Sequence, residues 1–135
     1  TGPGYSVTAA MSHAAATLAH DLKARAVLCL TQGGSTARRV ARWRPSCEIF
    51  AYCPLARTAQ QLCLTWGVRA VTWDGEYNPG PGAGGQDEVE AQIIRAIDAC
   101  KREGLLKSGD RVVIAAGLPV QVPGTTNLVR VLDVE

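Results

Sequence analysis

The sequence predicts an α/β domain of three layers. Its sheet has five mostly parallel strands in the order 3-2-1-4-5, with helices on both faces and the last strand antiparallel. Three observations lead there. Short apolar runs alternate with longer amphipathic ones, as crossover units require. The runs Ala26 to Leu30 and Arg111 to Ala116 are apolar nearly throughout, as suits strands covered on both faces. The last run, Leu128 to Val134, follows a link from Gly117 to Asn127 that is too short for a comfortable helical crossover, which makes it an antiparallel edge.

The elements follow in order. Ser6 is placed to cap a first helix whose apolar stripe reads Val7, Met11, Ala14, Leu18 and Leu22. Ala26 to Leu30 is the first strand. Ser35 or Thr36 begins a second helix, which Pro45 ends. Glu48 to Cys53 reads as the second strand, and Leu55 to Trp66 as a helix capped by Gly67. Val68 to Trp73 is the third strand, followed by a loop, Asp74 to Gln86, rich in glycine and proline. A long helix then carries Val89, Ile93, Ile97 and Cys100 on one face and ends at Gly104. Arg111 to Ala116 and Leu128 to Val134 complete the sheet. Arg130 and Asp133 suit an edge that must avoid indiscriminate pairing.

Composition narrows the function classes. At 135 residues the chain makes one domain, residues 1–135, able to bury a core without staples. The 14 basic and 12 acidic residues nearly cancel, which argues against nucleic acid and an anionic membrane as partners. Cys29, Cys47, Cys53, Cys63 and Cys100 form no C-x-x-C pair and leave one thiol over in any disulfide scheme, so a reducing, cytoplasmic setting is expected. No run is long enough to span a bilayer, and no signal peptide is read.

The candidate site lies beyond the carboxyl ends of strands one and four, where the predicted order reverses and doubly wound sheets bind ligands. After strand one come Thr31, Gln32, Gly33, Gly34, Ser35 and Thr36. The glycines admit close backbone approach, and the hydroxyls sit at a helix start suited to an anion. After strand four, Gly117 opens a loop that brings Gly124, Thr125 and Thr126 to the same edge. No lysine follows the second glycine, so this is not a P-loop. A plain capped helix after a glycine turn is the competing reading.

Other signals carry less. Gly80 to Gly85 matches G-x-G-x-x-G but follows strand three after a polar lead, and reads as a loop. His13 and His20 share a helix face with no further ligand spaced to complete a metal site. Arg38, Arg39, Arg42 and Arg44 make a basic helix, read as a solvated face whose first turn meets the anion position. Trp43, Trp66 and Trp73 read as core or interface anchors.

The segment "LTQGGSTARRVARWRPSCEIFAYCP" resembles the part of pyruvate kinases that begins T-x-S-G-x-[ST]-A and runs through a basic helix to R-P before the next strand. "GDRVVIAAGLPVQVPGTTNLVRVLDVE" is similar to their closing segment, and "MSHAAATLAHDLKARAVLCLT" to the helix and strand before the first loop. The resemblance runs from Val7 to Glu135 and covers the carboxyl-terminal domain alone. It implies an allosteric effector-binding and subunit-assembly domain. A phosphorylated sugar or nucleotide would be its effector, held by Thr31 to Thr36 and covered by Gly117 to Thr126. Gly33 stands where the family has a phosphate-binding serine. Gln92 stands where it has the arginine for a second phosphate, whose tryptophan partner has no clear match here. The resemblance therefore implies one phosphate rather than two. The family's catalytic residues, with Mg²⁺ and K⁺, lie on a (β/α)₈ barrel absent from these residues. The domain should need no cofactor and transfer no phosphate alone, and the catalytic barrel is an expected partner.

The resemblance also implies a homo-oligomer joined through the last strand. Antiparallel pairing about a two-fold axis would set Arg130 near Asp133 of its mate. Two other readings stand beside it: an assembly module with a vestigial phosphate pocket, and a small stand-alone enzyme, for which no nucleophile and base pair up.

Overall fold

The computed structural model describes residues 7–30, 35–53, 67–72, 86–116 and 128–135. Within them lie helix α1 (Val7–Asp21), strand β1 (Ala26–Leu30), helix α2 (Ser35–Arg42), strands β2 (Glu48–Tyr52) and β3 (Val68–Val71), helix α3 (Gln86–Arg102), and strands β4 (Arg111–Ala116) and β5 (Leu128–Asp133). The predicted helix Leu55 to Trp66, the Gly80 to Gly85 loop, Ser6, Cys63, Trp66 and Trp73 lie outside the described residues.

The sheet order is β3-β2-β1-β4-β5. β1 pairs in parallel with β2 and with β4, β2 pairs in parallel with β3, and β5 runs antiparallel to β4 with Val113 opposite Val131. The expected fold class is the observed one. Alternation along each strand divides the core in two. Leu28, Leu30, Phe50, Tyr52, Val112 and Ile114 face α3, where Ile93, Ala96, Ala99 and Cys100 meet them. Val27, Cys29, Ile49, Ala51, Cys53, Val113 and Ala115 face α1 and α2, meeting Ala15, Ala19, Ala37 and Val40.

The packed face of α1 differs from the expected stripe. Ser12, Ala15, Ala16 and Ala19 are the buried positions, while Leu22 is 36% exposed. Small side chains let the helix axis approach the sheet, so the alanines take the contact and Leu18 packs at its margin. Trp43 also departs from a core role. It is 42% exposed and stacks on His13, ring centroids 4.0 Å apart at 14°.

Two turns close the helices by the same device. After α3, Leu105 N–H donates to the Cys100 carbonyl at 2.9 Å and Gly104 N–H to Lys101 at 3.0 Å, with Gly104 at φ +76°. This is the pairing of a Schellman cap. After α1, Ala24 N–H bonds the Ala19 carbonyl at 2.9 Å and Lys23 N–H that of His20 at 3.2 Å, with Lys23 itself at φ 53°.

Candidate functional site

Reversal of strand order falls between β1 and β4, since the chain leaves β1 toward β2 on one side and reaches β4 on the other. Cys29 lies opposite Ala115, so the last residues, Leu30 and Ala116, end side by side and the two following segments start from neighbouring strands. Thr31, Gln32, Gly33, Gly34, Gly117, Gly124 and Thr125 lie outside the described residues. Of the site residues named from sequence, Ser35 and Thr36 are described: Ser35 opens α2, and Thr36 is 3% exposed.

The local sequence explains this placement. Gly-Gly ahead of Ser-Thr is a helix-start pattern, and Ala37 and Val40 then anchor α2 to β1 and β2. The amino end of α2, which carries the partial positive charge of a helix start, lies at the carboxyl edge of the sheet. No acidic residue occupies its first turn. Positive charge is added by Arg38, whose guanidinium lies close enough to Cys53, just beyond β2, to act on that thiol. The sequence places Arg38 on a basic face whose first turn meets the anion position. The packing of α2 against the end of β2 sets it near Cys53 at this edge.

Gln92, which the resemblance sets against an arginine of the family, is 4% exposed in α3, a buried neutral amide. His20 Nδ1 lies 3.3 Å from Ser46 Oγ, which with the His13–Trp43 stack ties α1 to the end of α2. Among the described residues no group of three or more His, Cys, Asp or Glu could hold a metal ion. No described helix is long and apolar enough to cross a membrane. Open grooves of about 490 and 540 Å³ lie at the amino ends of β2 and β3, lined in part by Glu48, Ile49 and Gly67. They sit at the opposite end of the sheet from the reversal point.

Three of the described thiols are inert packing. Cys29, Cys53 and Cys100 are fully buried. Burial pushes Cys53 and Cys100 up to about 12, and Cys29 higher still.

A family model described as "Pyruvate kinase, alpha/beta domain" matches residues 9–132. The chain is 39% identical over 119 residues to a pyruvate kinase of Clostridium acetobutylicum, a match covering 88% of this chain and 23% of that protein. It is 36% identical over 123 residues to one of Methylorubrum extorquens, covering 90% and 23%. A pyruvate kinase of Staphylococcus epidermidis is 31% identical over 111 residues, covering 82% and 17%. The chain thus spans less than a quarter of the length of these relatives. On the profile match over nearly its whole length, and on the sheet order that accompanies it, the chain belongs to the pyruvate kinase α/β-domain family.

Proposed function

We propose that this chain is the effector-binding and assembly domain of a pyruvate kinase, an enzyme that moves a phosphoryl group from phosphoenolpyruvate to ADP. The observation that carries the reading is the start of α2 at the point of strand-order reversal, with Arg38 beside it. A phosphate placed there meets helix N–H groups, hydroxyls and a cation, the combination that anion sites use. Thr31, Gln32, Gly33, Gly34, Ser35 and Thr36 make the phosphate loop, with Gly117, Gly124 and Thr125 covering it. The chemistry itself, with its Mg²⁺ and K⁺, belongs to the catalytic barrel, and the domain's part is to bias that barrel and join subunits.

Burial of Gln92 favours a ligand held by one phosphate. A neutral amide in the core offers a second phosphate no charge. Calorimetry with fructose 1,6-bisphosphate, a sugar monophosphate and the unphosphorylated sugar tests this. The expected outcome is similar affinity for the two phosphorylated ligands and none for the free sugar. Absence of binding by any phosphorylated ligand at millimolar concentration favours the second reading, an assembly module with a vestigial pocket.

A further inference from the structure

Arg130 and Glu90 form an ion pair near the carboxyl edge of the sheet, and that pair bears on which ligands the edge admits. The inference rests on the effector reading above and deepens it. The sequence sets Arg130 near Asp133 of a second copy. In the fold the two residues point to opposite faces. Asp133 is held by Arg111, whose Nε donates to Oδ1 at 2.8 Å, while Arg130 Nη1 donates to Oε1 of Glu90 in α3. Leu128 and Leu132, two residues either side of Arg130, pack into the core beneath α3, so Arg130 shares that face.

Register locates the pair relative to the point of strand-order reversal. Arg130 lies opposite Ile114 of β4, and Ile114 opposite Leu28 of β1. The three make one row across the sheet, so Arg130 and Leu28 stand two strand spacings, about 10 Å, apart. This row is two residues short of Leu30 and Ala116, the last residues of β1 and β4, a rise of about 7 Å. A long guanidinium side chain starting there serves the α3 side of the carboxyl edge. The start of α2, anchored by Ala37 and Val40, packs on the other face. A sugar phosphate held at α2 therefore crosses the edge to bring a second phosphate toward Arg130.

We propose that Glu90 sets the ligand class of the site: by holding Arg130 it confines the effector to compounds with one phosphate. Gln92, two residues further along α3, is buried and neutral and supplies no charge. Arg130 has the charge, but its guanidinium is committed to the Glu90 carboxylate. A second phosphate arriving there meets two penalties. It has to draw Arg130 away from its partner, and it comes to rest beside a carboxylate of like charge. Both side chains are partly exposed, Arg130 by 43% and Glu90 by 41%, so the pair is open to exchange once the carboxylate loses its charge. A released guanidinium presents the fork of donors that suits a phosphate.

Calorimetry on the 135-residue chain with fructose 6-phosphate and fructose 1,6-bisphosphate tests this. The readout is the ratio of the two affinities, which a general loss of stability does not move. The wild type should bind the two sugars about equally. In Glu90→Gln the bisphosphate should gain about tenfold over the monophosphate, and Glu90→Ala, which also removes the charge, should show the same gain. Adding Arg130→Met to Glu90→Gln should abolish it. A partly exposed pair adds little to stability, so these variants should melt close to the wild type. Three results overturn the role of Glu90 and leave the effector reading standing: an unchanged ratio in Glu90→Gln, a gain that survives Arg130→Met, or a wild type that already prefers the bisphosphate. Failure of the wild type and every variant to bind either sugar at millimolar concentration overturns the effector reading, and this inference with it.

Discussion

Thr36 is where the fold and the proposed ligand would meet most directly. It is 3% exposed at the first turn of α2, so its substitution bears on the packing of the helix start as well as on any phosphate beside it. Thr36→Ala should weaken phosphosugar binding by roughly 1.5–3 kcal/mol, the worth of one charge-assisted hydrogen bond. Thr36→Ser keeps the hydroxyl and should keep most of the affinity. Calorimetry beside thermal melts separates the two roles: Ala and Ser variants that bind equally well sink the ligand role. The thiols give a second measurement at this scale. Unfolded cysteines release protons near their ordinary value of 9.0, while Cys53 and Cys100 in the folded chain hold theirs to about 12. Between those values the unfolded state binds fewer protons, so stability is full below about pH 9 and falls as pH rises through the window. Melting from pH 7 to 10.5 should show a fall confined to the alkaline end, less steep in Cys100→Ala. A wild-type midpoint that stays level to pH 10.5 contradicts it. Gly-Gly-Ser-Thr announced the start of α2 in the sequence, but the burial of Thr36 and Gln92 did not announce itself, because both depend on what packs over them from distant segments.

Helix ends are where single substitutions report most cleanly at the scale of elements. Lys23 and Gly104 occupy equivalent places in two caps of the same hydrogen-bond pattern, both with positive φ. A left-handed conformation costs an L-residue roughly 1–2 kcal/mol, and the extra unfolded-state freedom of glycine returns about half of that. Lys23→Gly should therefore stabilise the chain by about 0.5 kcal/mol, and Gly104→Ala should destabilise it by about 1 kcal/mol. A Cβ at Gly104 would meet nothing within 4 Å, so the loss isolates backbone strain. Urea unfolding of both variants checks the pair, and equal signs for the two would refute the shared-cap account. Glycine made the end of α3 readable from sequence, whereas the lysine in the same role hid the end of α1. The core stripe of α1 was misread for a related reason. Size ranks Met11, Leu18 and Leu22 as core candidates, yet close approach to the sheet selects Ala15, Ala16 and Ala19.

At the scale of the whole molecule, strand order was readable because right-handed crossovers and one short link leave few arrangements. The assembly contact was not. Arg130 and Asp133 look complementary along the sequence, but their odd spacing puts them on opposite faces, where each already has a partner in its own chain. What remains at the edge is a backbone ladder and one exposed valine. Durable interfaces usually exceed about 1,000 Å², more than a six-residue strand supplies by itself, so the isolated chain should form weak dimers that grow with concentration. Proline at two adjacent positions tests this without relying on side-chain chemistry. The Val131 N–H faces outward, so Val131→Pro removes a donor from the free edge and spares the β4 ladder, as edge prolines do. Leu132 lies opposite Val112 with its N–H turned inward, so Leu132→Pro breaks a bond inside the sheet. The expected outcome is a Val131→Pro chain with near wild-type melting that sediments as a monomer, and a Leu132→Pro chain that melts markedly earlier. Should Val131→Pro keep the wild-type monomer–dimer equilibrium, the edge of β5 is not where copies of this chain meet.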